Sequence, residues 1–236
     1  MDDTPGKKYI PITEEMLDHS AKERYARINF ETGMNRCPRF SIVMTLVLAA
    51  VYAAQVHWGG LLSLQSVINS GALYRNGVLD RQVWRLLSGM FLHGSLGHLI
   101  GNCIALYMLG MICEHAYGEG QTIVLYFVSG LGASVLSVMF KPGPAIGASG
   151  AIFGLMGGAV AFLYNYKEHF FIRDRRIGFV LLVWALYQIA KGFLTPYIDN
   201  NAHIGGFVMG IITGLTLSPR LFPEDAPADS PGAGEV

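Results

Sequence analysis

Six long apolar segments, separated by short polar stretches, organise the chain. They lie at roughly 40–57, 92–113, 121–139, 149–164, 177–194 and 202–218. A helix needs about 20 apolar residues to cross a hydrocarbon core of ~30 Å. The pattern therefore predicts an all-α, polytopic membrane protein with six transmembrane helices. Several segments are slightly short or carry polar interruptions, and those irregularities hold the candidate chemistry. Residues 1–38 read as a polar cytosolic segment, partly amphipathic around Glu14–Ile28 or disordered. They lack the basic-then-apolar pattern of a cleaved signal peptide. Residues 39–218 form the membrane domain, and 219–236, rich in Pro, Gly, Ala and acid, read as a disordered cytosolic tail.

Composition agrees with the pattern. The 236 residues are 52% hydrophobic and only 14% charged, where a soluble domain carries roughly a quarter charged residues. The formal net charge of +0 gives no sign of nucleic-acid binding. Cys37, Cys103 and Cys113 have no paired spacing, so neither a disulfide framework nor a metal knuckle is expected. Twelve of the 17 lysines and arginines fall on the side shared by the two termini and the loops after the second and fourth segments. The positive-inside rule then puts both termini in the cytoplasm.

That topology gathers the unusual polar residues at the outer leaflet. His93, His98 and Asn102 fall in the first turns of the second segment, Ser149 opens the fourth and His203 opens the sixth. His98 and Asn102 are four apart and share a helix face. Taken alone, they read as interhelical hydrogen-bonding groups that tie the bundle together. His93 lies nearer the interface, where a solvated role is expected. Gly150, Gly154 and Gly158 in the fourth segment and Gly206, Gly210 and Gly214 in the sixth repeat at four-residue intervals. Small residues so spaced let membrane helices approach backbone to backbone, which would carry Ser149 and His203 to one end of one interface.

A serine needs a base to act as a nucleophile at neutral pH, and histidine is the usual one. Asp199 sits in the loop before the sixth segment, so the pattern favours a Ser149–His203 dyad over a triad. The Ser149 amide, free of an intrahelical acceptor at a helix start, and the His98 and Asn102 side chains could stabilise an oxyanion. Ser149–Tyr164 would span only about 24 Å at ~1.5 Å per residue. The nucleophile is then expected below the outer surface in a wet site, with the Pro142-Gly143-Pro144 stretch dipping in as non-helical backbone.

These residues resemble the rhomboid intramembrane serine proteases across about 40–218. The matching motifs are Gly147-Ala148-Ser149-Gly150, Ala202-His203 with Gly206 and Gly210, and His93-x4-His98-x3-Asn102, together with Trp84-Arg85 and Glu114. The resemblance implies a six-helix rhomboid bundle, a Ser149–His203 dyad, and an oxyanion hole of His98, Asn102 and the Ser149 amide. It implies structural roles for Trp84, Arg85 and Glu114, and a lateral gate at Ile177–Phe193. Its substrates would be transmembrane proteins cut within the bilayer, with no metal and no cofactor, in a bacterial inner membrane. Phe153 stands where tyrosine is frequent in the family; its ring can pack on His203 but cannot donate a hydrogen bond. The alternatives are an inactive rhomboid-like protein that binds membrane clients, a channel or transporter, and metal binding through His98 and His203. Inactive relatives typically lose the serine or histidine, and a transporter would favour internal repeats, which are not seen in the sequence.

Overall fold

The computed structural model describes residues 29–30, 34, 36–141, 143–195 and 198–221. The Glu14–Ile28 stretch and residues 222–236 lie outside the described residues. In chain order the helices are α1 (Arg39–His57), the short α2 (Leu64–Asn69), α3 (Arg75–Leu79) and α4 (Arg85–Ser88), then α5 (Leu96–Tyr117), α6 (Glu119–Phe140), α7 (Ser149–Asn165), α8 (Ile172–Leu194) and α9 (Asn200–Thr216). Among the described residues there is no strand; Leu73 and Ala145 form an isolated antiparallel bridge.

Helices α1, α5, α6 and the Arg176–Leu194 part of α8 are long and apolar enough to cross a membrane. Helices α7 and α9 have 17 residues each, about 25 Å of length. Large apolar side chains such as Leu46, Ile104, Val135 and Phe179 point outward. An apolar exterior of this kind suits lipid rather than water.

Element starts are set by local caps. The second apolar segment was expected to be helical from residue 92, but α5 begins only at Leu96. Ser95 caps it, its side chain accepting the His98 N–H at 3.2 Å, the standard way to satisfy an orphan donor. His93 therefore sits before the helix rather than in its first turn. At the far end, α5 and α6 are separated by Gly118 alone, whose φ of 81° is a conformation open to glycine.

Helix α7 is the hub of the bundle, buried without a break from Gly150 to Ala159. Its packing against α9 is backbone on backbone. A Cβ placed on Gly206 would run into the Gly150 carbonyl oxygen, and one on Gly210 into that of Gly154. The other side of α7 faces α6, where a Cβ on Gly154 would strike Ser129 Oγ. Close approach of this kind supplies packing energy where water exclusion does not.

Two side chains singled out in the sequence hold the frame together away from Ser149. The Glu114 carboxylate accepts the Phe40 N–H (3.3 Å), the Ser41 N–H (2.9 Å) and Ser41 Oγ (2.6 Å), joining the start of α1 to the end of α5. Buried Arg85 donates to the carbonyls of Ile68 (2.7 Å) and Ala72 (3.0 Å) and lies 4.4 Å from the centroid of the Trp84 ring. It thereby pins the α2–α4 connection. Phe30 is also fully buried, its ring against His115, Phe162 and Phe170 and its N–H donated to Asp174 at 3.0 Å.

Candidate active site

Ser149 is the first residue of α7, and His203 lies in the first turn of α9. The glycine contact between the two helices brings them together, with His203 Nε2 3.0 Å from Ser149 Oγ. Phe153, one turn beyond the serine, stacks on the imidazole with 4.2 Å between centroids and 12° between planes. Gly150 and Gly206 lie at the same contact, and Gly210 lies one turn deeper. Trp84, Arg85 and Glu114 lie outside this cluster.

The approach to Ser149 is fixed backbone. Ala145 and Leu73 exchange hydrogen bonds at 2.7 and 3.0 Å, and the Gly147 N–H donates to the Gly89 carbonyl at 2.9 Å. Gly147 has φ 128°, and a Cβ there would come within 2.7 Å of His98 Cε1. Conformation and space thus both require glycine at 147. They bring His98 against the segment that leads into the serine.

On α5, Asn102 is buried, with Nδ2 2.9 Å from His93 Nε2, and His93 Nδ1 is 3.3 Å from the Phe91 carbonyl. A proton on Nδ1 donated to Phe91 leaves Nε2 to accept from the Asn102 amide. One Asn102 N–H is then engaged and the other remains for a ligand. The His93 N–H donates to Gln55 Oε1 of α1 at 3.0 Å, and the His93 and His98 rings meet edge-on at 5.1 Å. The solvated interfacial role expected for His93 is therefore corrected: the residue is 0% exposed and serves as Asn102's acceptor. The expectation failed because Gly94 and Ser95 fold its segment inward ahead of the helix.

Two further contributors were missed. Gln55 is a lone amide in an apolar helix, and that oddity alone could have flagged it. Asp199, expected only as a loop residue, accepts the Ala202 N–H (3.1 Å) on Oδ1 and Ser137 Oγ (2.6 Å) on Oδ2, with Lys141 Nζ at 3.7 Å. It caps the helix that carries the histidine. His203 Nδ1 finds no hydrogen-bond partner among the described residues, so a Ser–His–carboxylate chain is not formed. Beside Ser149, a cavity of about 30 Å³ reaches Ser134, Ser137 and Asp199, room enough to admit water. Among the described residues no three His, Cys, Asp or Glu side chains are grouped to hold a metal ion.

The arrangement holds the parts of an acyl-transfer site: a hydroxyl against an imidazole, a helix-start amide and a buried side-chain amide with a spare proton. Comparison with known proteins points the same way. Residues 80–220 match the Rhomboid domain family. Rhomboid protease GluP of Bacillus subtilis (strain 168) is 33% identical over 159 residues, which are 67% of this chain and 31% of that protein. RHOMBOID-like protein 5 of Arabidopsis thaliana is 35% identical over 202 residues, 82% of this chain and 65% of the relative. Inactive RHOMBOID-like protein 8 of the same plant is 33% identical over 132 residues, 55% of this chain and 36% of the relative. The chain thus spans between about a third and two thirds of the length of these relatives.

Proposed function

We propose, from the premise that this chain belongs to the rhomboid family of integral multi-pass membrane proteins, that it is a serine endopeptidase cutting transmembrane segments with a Ser149–His203 dyad. The observation that carries the reading is the 3.0 Å contact between Ser149 Oγ and His203 Nε2, held by backbone packing of two helices. Nε2 accepts the serine proton as Oγ attacks the scissile carbonyl. The oxyanion that forms takes hydrogen bonds from the Ser149 amide, the free N–H of Asn102 and the His98 ring. The imidazolium then protonates the leaving amine, and an acyl-enzyme remains. Water, activated in turn by His203, adds to the ester carbonyl; the carboxylic acid leaves and the proton returns to Ser149. The cavity beside Ser149 is a fitting store for that water.

Phe153 holds the imidazole in plane by stacking, and Asn102 is kept in its donor orientation by His93. With six spans, lysine and arginine placement supports both termini in the cytoplasm and the site toward the outer leaflet; the bacterial inner membrane is the location that the resemblance implies. Transmembrane proteins in the surrounding bilayer are the substrate class. Similarity to a relative named inactive supports a second reading, capture of membrane clients without cleavage, but that reading gives no use to a serine hydroxyl against an imidazole.

The test is cleavage of a labelled transmembrane substrate in proteoliposomes, together with covalent labelling by a serine-reactive phosphonate. Ser149→Ala and His203→Ala should each lose nearly all turnover, and Ser149→Ala all labelling. Full cleavage by Ser149→Ala would refute the proposal, and substrate binding without cleavage by the wild type would favour the client-binding reading.

A further inference from the structure

At the end of the bundle opposite Ser149, a cavity of about 510 Å³ opens between the start of α1, the end of α5, the start of α6 and the turn after α9. Arg36, Arg39 and Arg220 line it, with Met111, Glu114 and Glu119. We propose that this cavity binds the headgroup of an anionic glycerophospholipid, its phosphate held by Arg39 and Arg220.

Three observations carry the assignment. The first is charge. Glu114 is spent on the start of α1, accepting two backbone N–H groups and a hydroxyl. Arg39 and Arg220 then face the cavity, with Glu119 beside them on the wall. Guanidinium forks match phosphate oxygens with short, charge-assisted hydrogen bonds. Glu119 is suited to accept a hydroxyl from a headgroup such as glycerol.

The second is construction. Arg220 is not on a free end: the Leu221 N–H donates to the Ala116 carbonyl at 3.3 Å, and the Arg220 side chain lies across Gly118, where an added Cβ would be 3.4 Å from its Cδ. The turn after α9 is thus folded over the α5–α6 junction and brings its guanidinium to the same cavity as Arg39.

The third is depth and continuity with lipid-facing surface. Arg39 begins α1, and Val43 and Leu46, one and two turns on, are 58% and 64% exposed. Met111 closes a matching stripe on α5 with Met108 (58%) and Ile104 (57%). The cavity therefore sits where apolar helix surface gives way to arginine, which is the level of phosphate groups. The two stripes offer a path for acyl chains that a free phosphate would not use. Basic pockets between helices are known to hold anionic headgroups in this way.

The proposal does not depend on proteolysis, and its test uses the full chain, stripped of lipid in detergent and titrated with phosphatidylglycerol. Adducts are counted by native mass spectrometry, and Tm is read in parallel. Wild type should retain phosphatidylglycerol in preference to phosphatidylcholine. Arg39→Gln/Arg220→Gln should weaken that affinity by about ten-fold or more. Arg176→Gln, an exposed arginine at the same end but outside the cavity, should not. Unchanged retention in the double variant overturns the proposal, as does an equal loss in Arg176→Gln. Protection of Tm by millimolar inorganic phosphate equal to that by the lipid would also overturn it, since phosphate alone would then suffice. Should the double variant melt early in phosphatidylcholine, Arg220→Gln alone decides. It alters a turn rather than a span, and full lipid retention there refutes the site.

Discussion

Replacing Gly206 with alanine tests whether helix contact positions the dyad. The new methyl would occupy the place of the Gly150 carbonyl oxygen, one residue from Ser149 and three from His203. Nothing at that contact is a flexible side chain able to swing away, so α7 and α9 must part by about an ångström to restore ordinary separation. Overpacking of this kind costs about 1–3 kcal/mol, and for a chain of this size Tm falls by about 2–4 °C per kcal/mol. Activity should suffer more. Displacing a base by ~1 Å from its nucleophile costs about 10²-fold, equivalent to roughly 2.7 kcal/mol of barrier. The assay is kcat/KM for a transmembrane substrate in proteoliposomes, measured below the onset of melting. Gly120→Ala is the matched control, because its Cβ would meet nothing within 4 Å; helix propensity should make it neutral or slightly stabilising. Wild-type kcat/KM in Gly206→Ala would refute the reasoning, since the dyad would then be set by something other than the glycine contact.

Three more substitutions separate support from frame. Phe153→Ala removes a stack worth about 0.5–1.5 kcal/mol beyond its area and frees the imidazole, so turnover should drop about ten-fold while Phe153→Tyr keeps it; equal activity in Phe153→Ala would remove the ring from the mechanism. His93→Leu deprives buried Asn102 of its acceptor, and kcat should fall by up to 10²-fold with KM nearly constant; a fall explained wholly by lost folded protein would leave His93 a packing residue. Glu114→Ala orphans donors at the start of α1, each costing about 1–3 kcal/mol when buried, so Tm should drop with normal kcat per folded molecule; a kcat defect at unchanged Tm would contradict its placement in the frame.

Much of this fold could be read from hydrophobicity because lipid imposes a simple rule: backbone polar groups must be satisfied within helices. The apolar runs therefore marked every long helix, and the four-residue glycine spacing marked the α7–α9 contact. The limits of such reading are equally physical. Hydrophobicity reports transfer from water and is silent about capping, so α5 was placed four residues early and His93 was assigned to solvent. Its burial depends on the Ser95 cap and on the hydrogen bond that its N–H donates to Gln55, 38 residues away in another helix, a long-range pairing with no local signature. Asp199 escaped for a related reason. Its place just before an apolar helix announces the cap onto Ala202, three residues on, but its second partner, Ser137, is 62 residues away on another helix and has no local signature.

Asp199 also bears on why the proposed site would work as a dyad. In a serine–histidine–aspartate triad the carboxylate accepts a hydrogen bond from the imidazole Nδ1–H and so orients the base. Here the nearest candidate is already occupied, one oxygen capping α9 and the other accepting from Ser137, while His203 Nδ1 lacks a partner among the described residues. Orientation has to come from elsewhere, and two contacts supply it: the Phe153 ring against the imidazole face and the glycine seam that fixes α9 beside α7. Both are packing contacts, and packing retains its strength in a bilayer, where burying a charged group against the imidazole would be expensive. The carboxylate thus acts one step back. It holds the helix end from which His203 projects, and the apolar contacts aim the ring.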